Sequence, residues 1–243
     1  MDQNPRAESS HACRNPDSRR RKAEKIIRIL EQERTLLGAS ILDVGAGAGV
    51  IAAKLAERAG PTGRVDAVDL DDERITHEGF TFTRVEGTTL PFPDESFDIV
   101  ISNHVIEHVG DQSAQLDHLS EIRRVLRRGG LGYLAVPNRW ALVEPHYRLA
   151  FLSWLPRRIA DAYLRATRNR APYDCHPPGP VRLRRLLRAA GLQSNSAAGQ
   201  AIQAMREVEE TGAAARVAAL FPPRFLDLSW AVLPTFVLLL RRE

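Results

Sequence analysis

Ile41-Leu42-Asp43-Val44-Gly45-Ala46-Gly47-Ala48-Gly49 is a short apolar strand running into three glycines on alternate positions. Val50, Ile51, Leu55, Ala56 and Ala59 follow at helical spacing. Strand, glycine turn and helix in that order is how α/β proteins hold an adenosine-containing ligand at a strand end. Glycine permits the sharp turn and lets a ligand approach the backbone, because no Cβ intervenes. The spacing is tighter than the G-x-G-x-x-G of pyrophosphate binders, whose third glycine opens a phosphate-gripping helix. Asp43 stands at the mouth of the turn. A carboxylate there repels a phosphate and suits a cationic, amine-bearing ligand.

Further apolar runs extend the pattern. Strands are expected at 65–68, ending at Asp69, and at 82–85, 97–102 and 131–136. Leu116, Leu119, Ile122 and Leu126 mark a helix over 111–128 that Gly129-Gly130 closes. Upstream, Ala23, Ile26, Ile27 and Leu30 give one face of a helix over 19–37. Downstream, the pattern predicts a helix over 181–190, a strand over 192–196, a helix over 203–220 and a buried last strand over 230–241. Apolar strands between helices describe an α/β protein, a mostly parallel sheet covered on both faces.

Residues 139–180 interrupt the alternation with six of the chain's fifteen aromatic residues and six prolines. So long and aromatic a segment inside a compact domain is usually functional. It reads as an insertion or lid on a single domain spanning 19–243, with 1–18 as a disordered lead-in.

The composition bounds the setting. Cys13 and Cys175 give no disulfide framework, and a reduced, cytoplasmic location is expected. No secretory h-region is visible in 1–18. The apolar run at 228–240 falls short of the roughly 20 residues of a membrane span and is broken by Pro234, which leaves room for peripheral membrane contact only. The net charge of +4 is carried almost wholly by arginines spread along the chain, so a nucleic-acid partner is not expected. No His, Cys, Asp and Glu set has metal-ligand spacing, and no metal is expected.

Ligand-binding candidates sit at strand ends, which face one crevice in an open parallel sheet. Asp69 ends the second strand, where a carboxylate accepts hydrogen bonds from both ribose hydroxyls. Glu86-Gly87 follows the third strand, placed to take an adenine amino group while backbone reads the ring edge.

With these residues in place, the chain resembles the class I S-adenosylmethionine-dependent methyltransferases of the ubiquinone/menaquinone-biosynthesis-like, type 11 group. The matching segments are Ile41–Gly49, Val68-Asp69-Leu70, Glu86–Phe92, Phe97–Val109 and Arg124–Pro137, in the family's order over about a hundred residues. The resemblance implies a Rossmann-like seven-stranded, mostly parallel sheet with an antiparallel last strand. It also implies a cofactor, S-adenosyl-L-methionine, cradled by Asp43, Gly45, Gly47 and Gly49. Asp69 would hold the ribose, Leu70 would pack on the adenine, and Glu86 stands where the family usually has aspartate. Asn103 and His104 would lie beside the methyl group. The reaction implied is methyl transfer to a small-molecule or lipid/sugar-linked metabolite, with O-methylation favoured. A hydroxyl acceptor needs a base, for which His104 is the first candidate and His146 the second. His108 is expected to fix the loop. Three alternatives stand beside this one. A nicotinamide-dependent oxidoreductase is disfavoured by the glycine spacing and Asp43. A nucleic-acid methyltransferase lacks its Asn/Asp-Pro-Pro-Tyr pattern at 102–105. A non-catalytic binding module would keep the fold and lose the chemistry.

Overall fold

The computed structural model describes residues 16–168, 172–209 and 220–243. Its strands are β1 (Ser40–Val44), β2 (Arg64–Asp69), β3 (Thr81–Arg84), β4 (Phe97–Asn103), β5 (Leu126–Pro137), β6 (Leu192–Ser196) and β7 (Thr235–Arg242). The helices are α1 (Pro16–Glu31), α2 (Val50–Ala59), α3 (Gln112–Val125), α4 (Arg157–Arg168), α5 (Pro180–Ala189), α6 (Ala198–Val208) and α7 (Pro223–Leu228). All seven strands form one sheet in the order β3-β2-β1-β4-β5-β7-β6. The first five run parallel, and β7 is antiparallel to both β5 and β6. The expected fold class is therefore the observed one.

Alternation along the central strands builds two cores. Leu42, Val44 and Val100 point to one face with Leu119, Ile122, Leu183 and Leu186 of α3 and α5. Ile41, Ile99 and Ile101 point to the other with Ile26, Ile27, Leu30 and Leu55 of α1 and α2. Both faces are dry, which is why these strands read as unbroken apolar runs. A third, small cluster of Leu152, Ala160, Leu164, Tyr173 and Cys175 lies within the insertion.

Several boundaries differ from expectation. The first helix starts at Pro16 and ends at Glu31, so the last three residues of the expected lead-in are helical; residues 1–15 lie outside the described residues. The helix expected to reach residue 128 ends at Val125, and Leu126 is already extended, pairing with Phe97. Arg127 is drawn away from any helix by its ion pair with Asp98 (2.8 Å) and its bond to the Glu95 carbonyl (3.1 Å). The helix expected over 203–220 runs from Ala198 to Val208, and 210–219 lie outside the described residues. The last strand begins at Thr235, because Trp230–Val232 forms a 3-10 turn and Pro234, with no N–H, cannot extend the ladder. In the insertion, α4 forms after Pro156, a helix that the period did not announce. No described helix is long and apolar enough to cross a membrane.

Candidate functional site

Parallel pairing brings the carboxyl ends of β1, β2 and β4 to one edge, with Val44 level with both Val68 and Ser102. The glycine turn is tied down there by Gly45 and Ala46 N–H groups donating to the Val68 carbonyl at 2.8 and 3.1 Å. Gly45 has φ +78°, and a Cβ on it would fall 2.3 Å from Val105 Cγ2. Gly49, at φ +75°, caps α2 where a Cβ would meet Phe80 and the Thr76 carbonyl at 2.8 Å. Both positions therefore require glycine for conformation and for space.

Two carboxyls face this turn. Asp69 accepts the Gly47 N–H on Oδ2 and the Leu70 N–H on Oδ1, both at 2.7 Å. Burial raises its pKa, opposed by those two donors. Asp43 is 1 % exposed. Burial, then the neighbouring Asp69 charge, pushes it up to about 7, against the Ala52 N–H. Its Oδ2 has no hydrogen-bond partner. A buried carboxyl with an unpartnered oxygen is a seat for a cationic amine, so the residues fit the zwitterionic end of the expected cofactor. Leu70 is half-exposed beside Asp69. The Val85 N–H donates to the Asp69 carbonyl (2.9 Å), which sets Glu86 and Gly87, both exposed, just past this junction. The structure thus brings Asp43, the glycine turn, Asp69 and Leu70 together, with Glu86 and Gly87 exposed just beyond them.

Asn103 ends β4 opposite Ala135. His104 turns away at φ +59°, a conformation uncommon outside glycine, while its N–H bonds the Ala135 carbonyl at 2.8 Å. Its Nδ1 lies 3.3 Å from Glu107 Oε1, and His146 Nε2 lies 3.0 Å from the same oxygen. Glu107 is fully buried. Burial pushes its carboxyl up, but the His104 and His146 hydrogen bonds win and hold it at about 2. Burial lowers the His104 pKa against the pull of Glu107. Burial also draws His146 down, but Glu107, Glu144 and Asp174 outweigh it and the net shift is upward. The His108 and His146 rings meet edge to face at 5.0 Å, and Cys175 Sγ lies 3.8 Å from His108 Nδ1. Both expected histidines therefore meet on a glutamate that sequence reasoning passed over, His146 reaching it from 39 residues further along the chain. Glu107 was visible only as a member of the Glu107-His108 pair in a matching segment.

Among the described residues, two donor sets come within metal-binding reach, His104/Glu107/His146 and His108/His146/Cys175. Neither shows in linear spacing, since each joins the loop after β4 to the insertion. Deeper still, Ser102 Oγ and His118 Nε2 form a buried pair at 3.0 Å. A cavity of about 480 Å³ opens beside His146, lined also by Tyr147, Arg148 and Arg168. An apolar groove of about 490 Å³ runs over Ala150, Phe151, Leu155, Ile159, Ala162 and Tyr163.

Comparison with known proteins agrees with this geometry. Residues 42–134 match the family model for a methyltransferase domain. A Cupriavidus taiwanensis protein named ubiquinone/menaquinone biosynthesis C-methyltransferase UbiE is 30% identical over 171 residues, covering 65% of this chain and 68% of its own length. A probable S-adenosylmethionine-dependent methyltransferase of Mycolicibacterium smegmatis is 36% identical over 107 residues, covering 42% of this chain and 39% of its own length. Among solved structures, a putative sarcosine dimethylglycine methyltransferase from Galdieria sulphuraria superposes with a TM-score of 0.56 at 16% identity, over 92% of this chain and 86% of that one. The chain belongs to the class I S-adenosylmethionine-dependent methyltransferases that carry this domain. Its methyl donor is S-adenosylmethionine and its reaction is methyl transfer to a small molecule. Membership decides against the nicotinamide-dependent alternative.

Proposed function

We propose that this enzyme methylates an oxygen of an anionic, lipid- or sugar-linked metabolite, held by residues 139–180 over the ends of β1 and β4. The observation that carries the reading is the pairing of His104 and His146 on the buried Glu107 carboxylate at the end of β4. When bound, S-adenosylmethionine supplies a methyl group made electrophilic by its sulfonium. Asp43 would hold the cationic amine and Asp69 the ribose, with the glycine turn, Leu70, Glu86, Gly87 and Asn103 lining the rest. Ionised Glu107 only accepts hydrogen bonds, so His104 carries its proton on Nδ1 and presents a lone pair on Nε2. Burial favours the neutral ring at neutral pH, and Glu107 stabilises the imidazolium once His104 takes the acceptor's proton. His146 holds Glu107 from the other side. Alignment and exclusion of water then supply much of the rate.

The two hollows favour an amphipathic acceptor. Arg148 and Arg168 in the cavity beside His146 suit a phosphate or carboxylate, and the neighbouring groove suits an apolar chain. Exposed Trp140, Phe151, Trp154 and Ile159, flanked by the exposed arginines 157, 158, 165 and 168, support a peripheral membrane contact.

The test is transfer of labelled methyl from S-adenosylmethionine into lipid and aqueous metabolite extracts, with mass spectrometry of the product. The reading expects an O-methyl on an anionic lipid-linked product. It expects His104→Gln to lower kcat about 10²–10⁴-fold with donor binding intact. Label on carbon, or an undiminished kcat in that variant, would refute it.

A further inference from the structure

The proposed reaction leaves His108 and Cys175 without a task, and one oxygen of Glu107 without a partner. Glu107 Oε2 is buried and makes no hydrogen bond. His108, His146 and Cys175 each aim one donor atom at the same small volume, all within 4.8 Å of one another. Cys175 is buried and His146 is half-buried, while His108 reaches the surface, so the site is walled yet reachable.

We infer that His108, His146 and Cys175 bind one divalent transition-metal ion of the zinc class. Two imidazoles and a thiolate are borderline-soft donors that select zinc-like ions over magnesium or calcium. Metal–sulfur bonds of about 2.3 Å and metal–nitrogen bonds of about 2.0–2.1 Å ask the three donors to draw together slightly around the ion. Three protein ligands leave a fourth position for water. Glu107 supplies the outer support that such sites use. It accepts the His146 Nε2–H at 3.0 Å, which fixes the tautomer with the lone pair on Nδ1. The ion's charge also offsets the buried Glu107 carboxylate. His108 comes from the loop after β4, and His146 and Cys175 come from the insertion, so the ion ties the insertion to the sheet. The site is independent of which acceptor is methylated.

The competing donor set, His104/Glu107/His146, shares His146 but contains no sulfur. Sulfur ligation therefore separates the two. The experiment is titration of the chelator-stripped, full-length protein with Co2+, read by absorption, followed by displacement with Zn2+. The expected result is one equivalent bound with a near-ultraviolet thiolate-to-cobalt band, bleached by one equivalent of Zn2+. Cys175→Ser should abolish the band. Glu107→Gln should keep it while weakening affinity 10–100-fold, the usual loss when a ligand's outer support is removed. Circular dichroism checks that each variant is folded, and the wild-type titration needs no variant. Failure of the wild type to bind one equivalent, binding without the sulfur band, or a band that survives Cys175→Ser would each overturn the site.

Discussion

Asp43→Asn tests the cofactor seat from two sides, because burial makes this carboxyl costly to ionise and valuable once a cation is beside it. Its pKa rises from 3.8 to about 7. At about 1.36 kcal/mol per unit, ionising it in the ligand-free protein costs up to about 4 kcal/mol. The folded state then binds the extra proton between those two values. This group's contribution to stability therefore falls as pH rises from about 4 through 7 and levels off above. Asparagine removes the cost, so the ligand-free variant should be more stable than wild type at pH 8, with little difference at pH 4. Binding a cationic amine demands the ionised form. Wild-type affinity for S-adenosylhomocysteine should weaken about tenfold per pH unit below 7. The variant should bind weakly, with no such pH dependence. Calorimetric titration between pH 5.5 and 8.5, beside urea unfolding of the ligand-free proteins, measures both. A wild-type affinity that is flat from pH 6 to 8, or unchanged binding in the variant, would refute the assignment of Asp43.

Other expectations follow from single contacts. Gly45→Ala puts a Cβ 2.3 Å from Val105 Cγ2 at φ +78°; overpacking and left-handed strain together should cost about 2–4 kcal/mol in urea unfolding. Burial depresses His118 from 6.5 to about 4, so stability should be lost as pH falls through that window, by about 3 kcal/mol, and His118→Gln should flatten the loss. Arg165→Ala with Arg168→Ala should weaken binding to anionic lipid vesicles by about 2 kcal/mol, roughly 30-fold, as measured by cosedimentation, and leave binding to neutral vesicles unchanged.

What could be read in the sequence was local. The β1–turn–α2 unit lies within a residue of its expected bounds, because strand period, glycine and helix period are each written over a few residues. That Asp43 and Asp69 lie close together was legible for the same reason: both sit at the carboxyl ends of parallel strands, and those ends share an edge. Errors came where tertiary forces set the boundary. Leu126 satisfies a helical stripe, yet pairing with Phe97 and the Arg127–Asp98 ion pair make it strand. Trp230 reads as β-forming, yet it packs edge to face on Phe236 from a 3-10 turn. Side-chain convergence over long separations was the least legible. His104 and His146 were chosen singly as bases. That both bond Glu107, and that Cys175 reaches His108 across 67 residues, depends on how the insertion folds back over β4. No spacing rule carries that information, and a reading that looked for metal ligands by spacing expected none.

The most direct test of the account is equilibrium binding of radiolabelled S-adenosylmethionine and of NADH to the wild type and to Asp69→Ala. The account predicts saturable, one-to-one binding of S-adenosylmethionine, no binding of NADH, and loss of S-adenosylmethionine binding in the variant. Tight NADH binding without S-adenosylmethionine binding, or undiminished S-adenosylmethionine binding by Asp69→Ala, would contradict it.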